Sequence, residues 1–374
     1  MRELVEKNVM TIYSILIAMG VLLRFIVMAV GHNYDFQSYL IVGELLHNGL
    51  DVYANTQRYN YGPLFMVFQG LFYEISTHAL EVGTMYRICI VSFLTSADVG
   101  IMAWLDRHYG KKIAILFFLN PVSIIITGYH NQFDNVAILL MLLAIDFYND
   151  EEKVNIKDIA FILLMTVSLT MKHVFAFLAA WLLFSKKLPV LKRCLYAFAP
   201  PILFLMSFIF PILKNFENFK GILENVFLYK SMNNSPLFGR IFEAVNIPNS
   251  MYTVIFIIIV CVMGWVFREK EITDRVLWYT MCLVAFSSAI GDHYLAIPMA
   301  ALCVYGKKVK WIYMTFMGHY LIWHDTGMQI SAVYPEHIRI PNSGYWGVFF
   351  GCLMLAAVIV DEIIKQVRKA GGVV

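Results

Sequence analysis

The chain has 374 residues, a formal net charge of +3, 60% hydrophobic residues and only 15% charged ones, with a mean hydropathy of +0.67, whereas soluble globular chains carry roughly 25% charged residues. This balance excludes a soluble domain, and the absence of an Arg/Lys stripe interleaved with aromatics excludes a nucleic-acid partner. The six cysteines, Cys89, Cys194, Cys261, Cys282, Cys303 and Cys352, stand singly in apolar runs without CxxC or CxxH spacing, as buried small hydrophobes do, so neither a disulfide framework nor a zinc site is expected.

Apolar runs recur along the whole chain and predict an all-α polytopic membrane protein, one integral-membrane domain over 1–374, with about 12 transmembrane helices. In chain order they fall near 10–31, 86–105, 113–128, 135–147, 159–171, 173–184, 194–213, 251–267, 276–290, 293–305, 311–323 and 345–360. The first run is too long for a signal-peptide core and has no small-residue cleavage site, so it reads as a retained helix. The runs flanking Lys172 and Asp292 are shorter than the roughly twenty residues that cross a bilayer unaided, which suggests tilted, broken or joined elements.

A cytoplasmic N-terminus places Lys111 and Lys112, the 186–193 segment, Arg268 and Lys270, the 307–310 segment and the 365–369 segment on one side. That is the positive-inside pattern, and it leaves both termini cytoplasmic. The opposite, extracytoplasmic side then holds the 32–85, 214–250 and 324–344 segments, with tight turns at 130–134 and 291–293. Such a chain belongs in a prokaryotic plasma membrane or a eukaryotic endomembrane. No internal repeat is visible, so an inverted-repeat transporter gains no support.

The polar residues that look out of place lie on the extracytoplasmic side. Directly after the first run comes His32-Asn33-Tyr34-Asp35, and Phe36, Tyr39, Leu40, Val42 and Leu46 then recur at helical spacing, as in a helix lying in the membrane interface. Asp35 is either a carboxylate available for chemistry or the cap of that helix. Further along, Gly128-Tyr129-His130-Asn131-Gln132-Phe133-Asp134-Asn135 interrupts two apolar runs; it is either a site or a solvated hairpin in which Asp134 or Asn135 caps the next helix. Arg24, Asp98 and Lys172 lie within apolar runs and Asp292-His293 at the edge of one, where each charge needs a partner or an aqueous cavity. Arg24 and Asp98 suit a structural pair, while Lys172 and His293 lie where a cation meets an anionic head group. HExxH, P-loop and GxSxG motifs are absent.

Taken in order, these clusters resemble the integral-membrane glycosyltransferases of the GT-C superfamily, which use polyprenyl-phosphate sugars. Asp35 stands where that superfamily keeps an acid in its first extracytoplasmic loop, and Tyr59-Asn60-Tyr61-Gly62-Pro63-Leu64 is similar to its aromatic-Pro element. Asn120-Pro121 with the 128–135 run is similar to the pattern of the dolichol-dependent glucosyltransferase and GPI mannosyltransferase branches. Ser168-Leu169-Thr170-Met171-Lys172-His173 resembles their Lys-containing break, and Gly291-Asp292-His293-Tyr294 their late His-containing element. Where several relatives carry two acids in the first loop, this chain has Asn33 two residues before Asp35, which leaves Asp35 as the sole base.

The resemblance implies an inverting hexosyltransferase that moves a sugar from a polyprenyl-phosphate donor to a hydroxyl of a glycan or glycolipid. Asp35 would be the general base; Lys172, His293 and His130 would hold the donor phosphate; Tyr61, Gln132, Asp134 and Asp292 would contact substrate. No cofactor is required, and Asp134 with His130 is the one candidate ligand pair for a divalent metal. The competing expectations are a lipid-linked saccharide flippase or secondary transporter, whose charges would line a path near the bilayer midplane, and a polysaccharide polymerase or ligase.

Overall fold

The computed structural model describes residues 2–229, 235–324 and 343–370, and among these residues every regular element is helical. In chain order the helices are α1 (Arg2–Val30), α2 (Tyr34–His47), α3 (Val52–Asn55), α4 (Pro63–Thr77), α5 (Val82–Tyr109), α6 (Lys111–Phe118) and α7 (Pro121–Ile125). There follow α8 (Asp134–Ile145), α9 (Ile156–Met171), α10 (Leu178–Leu183), α11 (Val190–Met206), α12 (Ile209–Lys214) and α13 (Glu217–Ile222). The chain is completed by α14 (Gly239–Ala244), α15 (Asn249–Val266), α16 (Ile272–Ala285), α17 (Met299–Tyr305), α18 (Val309–His324) and α19 (Ser343–Ala370). Most of the predicted 324–344 loop lies outside the described residues.

The structure corrects the expected dozen spans. Among the described residues four helical stretches are long and apolar enough to cross a membrane, Met10–Val30, Val82–Tyr109, Val190–Lys214 and Trp346–Lys369. A fifth crossing results if Lys111–Phe118 and Pro121–His130, bent by 44°, count as one span. The other predicted spans fall on shorter helices: α8 has 12 residues, α16 has 14, α9 and α18 have 16, and α10 and α17 have 6 and 7. At 1.5 Å of rise per residue, a 16-residue helix is about 24 Å long, short of a hydrocarbon core of about 30 Å. Apolar composition continues through the breaks, so the sequence shows runs where the backbone is interrupted. The long helices meet the expectation of a lipid solvent directly, since Ile12, Ile15, Leu22 and Ile26 on α1 are all exposed.

A buried ion pair ties the first half together, as the sequence reading of Arg24 and Asp98 expects. Arg24 Nε donates to Asp98 Oδ2 at 2.8 Å, with both side chains almost fully excluded from solvent. Thr127 Oγ1 and Asn135 Nδ2 donate to the same carboxylate at 2.7 and 2.9 Å, and Arg24 Nη1 donates to the carbonyls of Gly20 and Phe118. Four separate segments thus share one carboxylate, which satisfies the charge in a medium without water. A second buried pair joins α9 to α11, with Lys192 Nζ 2.9 Å from Asp158 Oδ1. Lys192 belongs to the basic 186–193 segment but is an interior residue.

The first loop folds onto this bundle. Phe36, Tyr39 and Val42, three of the positions at helical spacing in α2, are buried. Pro63 occupies the first turn of α4, where its missing N–H costs nothing. A Cβ on Gly62 would lie 2.2 Å from the Thr170 carbonyl oxygen, so only glycine lets the Tyr61-Gly62-Pro63 turn seat on the last turn of α9. That contact sets Tyr61 beside Lys172, the residue that ends α9.

Candidate active site

Asp35 is not the cap of α2. Asn33 is: its Oδ1 accepts the Asp35 N–H at 3.1 Å, and Asp35 sits in the first turn with its carboxylate free for other partners. Asn33, two residues before Asp35, is therefore the residue that starts the helix.

The 128–135 run is not a solvated hairpin either. Asn120 Oδ1 accepts the Ser123 N–H at 2.8 Å to open α7, and the helix then widens into a π-turn over Ile126–His130. Such wider turns occur at functional positions because they displace side chains from the helical register. Asn131 closes the turn at φ 56°, a left-handed conformation that asparagine tolerates, and its Nδ2 donates to the carbonyls of Thr127 and Gly128. No side chain caps α8: Phe133 precedes it, Asn135 is bonded to Asp98, and Asp134 turns to Lys172.

These segments converge on one chain of hydrogen bonds. Lys172 Nζ donates to Asp134 Oδ2 at 2.7 Å and to Gln132 Oε1 at 3.0 Å, while Gln132 Nε2 donates to Asp35 Oδ2 at 2.6 Å. Lysine has only N–H groups to give, so Lys172 determines which end of the Gln132 amide faces the carboxylate. Asn33 Nδ2 donates to Asp35 Oδ2 at 3.2 Å and to His130 Nδ1 at 3.0 Å. The Lys172 ammonium also lies 4.8 Å from the centre of the Phe133 ring and 5.2 Å from that of Tyr61.

Asp35, Tyr61, His130, Lys172, Asp292 and His293 line a single cavity of about 840 Å³. Gln132 and Asp134 stand one hydrogen bond behind its wall. Asp292 holds the far side, accepting from Tyr320 Oη at 2.8 Å and lying 3.5 Å from His324 Nε2. Burial, together with the charges of Asp35 and Asp134, pushes the Tyr61 phenol well above its ordinary value, so it remains a hydrogen-bond donor and not a base. All eight side chains singled out from the sequence thus belong to one region.

No known family, curated protein or solved structure matches this chain.

The sequence reading assigned no role to several other residues of the cavity, among them His32, Gln37, Gln57, Arg58, Tyr229 and Tyr294. For Arg58 a signal existed: an arginine in a loop assigned to the extracytoplasmic side runs against the positive-inside bias. Among the described residues no group of three or more His, Cys, Asp and Glu side chains is arranged to hold a metal. Of the candidate metal pair, Asp134 is bonded to Lys172 and His130 to Asn33.

Chemically, the arrangement offers one carboxylate oriented by two amide donors, in a chamber whose wall is divided between tyrosines, amides and imidazoles. A chamber of this size and mixed polarity is in the range of small-molecule sites.

Proposed function

We propose that the protein is an inverting, GT-C-type glycosyltransferase that moves a hexosyl group from a polyprenyl-phosphate donor to an acceptor hydroxyl on the extracytoplasmic face. The observation that carries this reading is the Asp35 carboxylate, oriented by the Gln132 and Asn33 amides, in a cavity that also gathers the three sequence-distant clusters of the family pattern. The acceptor is a glycan or glycolipid, and the bilayer delivers the donor.

In the proposed reaction the acceptor oxygen attacks the anomeric carbon and forms the new glycosidic bond. The bond from that carbon to the phosphate oxygen breaks, and its electron pair leaves with the polyprenyl phosphate. Asp35 takes the hydroxyl proton, and one displacement without a covalent sugar–enzyme intermediate inverts the anomeric centre. Lys172, His130 and His293 are the sequence-derived candidates for steadying the departing phosphate, and Tyr61 and Asp292 offer hydrogen bonds to substrate.

Ion pairs supporting a common basic side link Lys186 to Glu269 at 2.7 Å, Lys270 to Glu362 at 2.7 Å and Lys307 to Asp361 at 3.1 Å. These pairs hold together the basic segments that the proposed orientation assigns to the cytoplasm, with both termini there and the short helices of the first loop near the outer interface. A flippase or transporter reading draws less support, since Arg24 and Asp98 satisfy one another and Lys172 is paired with Asp134.

Incubating the purified protein with a panel of polyprenyl-phosphate sugars and an acceptor extract should release polyprenyl phosphate from one donor. Transport of an intact lipid-linked sugar without that release would reject the reading. Within it, Gln132 is a positioning residue: Gln132→Leu should lower kcat by roughly ten- to a hundredfold with KM for the donor little changed, because the carboxylate loses its orientation and not its substrate. An equal rise in KM with kcat preserved would mean that Gln132 binds substrate instead.

A further inference from the structure

We infer that Arg58 supplies the cation that binds the phosphate ester of the lipid-linked donor, an inference that rests on the transferase reading above. Among the described residues two fully basic side chains line the cavity, Lys172 and Arg58. Lys172 is 4% exposed and bonded to Asp134 at 2.7 Å, so its charge is already balanced before any ligand arrives. An anion placed there has to compete with a buried carboxylate.

Arg58 differs in each respect. It is half-buried and has no carboxylate partner among the described residues. Its guanidinium lies 3.9 Å from the centre of the Tyr34 ring. Nε donates to Ser38 Oγ at 3.1 Å and Nη2 to the Tyr34 carbonyl at 3.3 Å. Ring and hydrogen bonds together hold the planar group in place, so little side-chain freedom remains to be lost on binding. Among the described residues no hydrogen bond engages Nη1, which leaves it for a phosphate oxygen. A rigid guanidinium with an unbalanced charge recognises the phosphate group, as the diester of the donor and as the monoester of the released polyprenyl phosphate, by charge-assisted hydrogen bonds.

Arg58 lies four residues after Ala54, whose N–H is bonded to Asn218 Oδ1 at 3.1 Å, and Lys214 meets Asp51 at 2.7 Å. Helices α12 and α13 thereby anchor the segment that carries Arg58. Its placement does not depend on the ligand.

The test is calorimetric titration of the full chain, in nanodiscs of zwitterionic lipid, with farnesyl phosphate, with farnesol and with inorganic phosphate. In the unmodified protein farnesyl phosphate should bind more tightly than farnesol, and the ratio measures what the phosphate contributes. Arg58→Gln should reduce that ratio by roughly ten- to a hundredfold, the scale of hydrogen bonds to a charged group, and Arg58→Lys should reduce it less. Unchanged thermal unfolding of both variants accompanies this result. A ratio preserved in folded Arg58→Gln overturns the inference while leaving a lipid-phosphate site in place. No preference for farnesyl phosphate in the unmodified protein overturns the transferase reading together with the inference. Inorganic phosphate binding as tightly as farnesyl phosphate would assign the site to free phosphate and reject the lipid as its ligand.

Discussion

Asp35→Asn should lower the rate of sugar transfer by roughly a hundred- to ten-thousandfold, the usual loss when a general base is removed. The exchange keeps the size of the side chain and removes the carboxylate proposed to take the acceptor proton. Helix α2 should persist, because its cap is Asn33 and the capping bond runs to the backbone N–H of residue 35, which the substitution leaves in place. What is lost is the charge in the hydrogen bonds from Gln132 and Asn33, a change of about 1–2 kcal/mol in stability. Turnover with a saturating donor, alongside thermal unfolding in the same detergent, separates the two effects. A folded variant with near-normal transfer would remove Asp35 from the reaction.

Lys172→Met should destabilise the protein by about 3–5 kcal/mol, because it leaves the buried Asp134 carboxylate without its cation. Both side chains are at most 5% exposed, so water cannot take the place of the missing partner. Removing both charges together, as Lys172→Met with Asp134→Leu, should recover most of that loss, since two buried charges and their desolvation cost then vanish as a pair. Thermal unfolding of the single and double variants is the measurement. If the double variant were as unstable as the single one, the ion pair would not be the reason for the burial of Lys172. The double variant should still transfer sugar poorly, because the Gln132 amide is no longer held with its N–H groups toward Asp35.

The sequence by itself determined the class of the protein and several local devices. Composition pointed to a lipid solvent, where helices and closed barrels satisfy the backbone, and the long unalternating apolar runs favoured helices. The pairing of Arg24 with Asp98 was legible because two opposite charges in apolar runs have few ways to be accommodated. The polar clusters around Asp35, His130, Lys172 and Asp292 were visible for the same reason, as groups too costly to be incidental.

Only the tertiary structure decided how those clusters act on one another. The partners in the site are far apart in the chain: Lys172 and Asp134 by 38 residues, Gln132 and Asp35 by 97. No local rule distinguishes a lysine balanced by a carboxylate from one that awaits an anion, since that depends on which loop the fold brings alongside. That Asn33 and not Asp35 caps α2 followed from where the helix begins, because both residue types perform that role. The dozen expected spans failed through the same gap between composition and geometry. Hydropathy measures how much apolar surface a segment carries, whereas crossing a bilayer needs unbroken helical length, and packing against neighbours determines where α8, α10 and α17 stop.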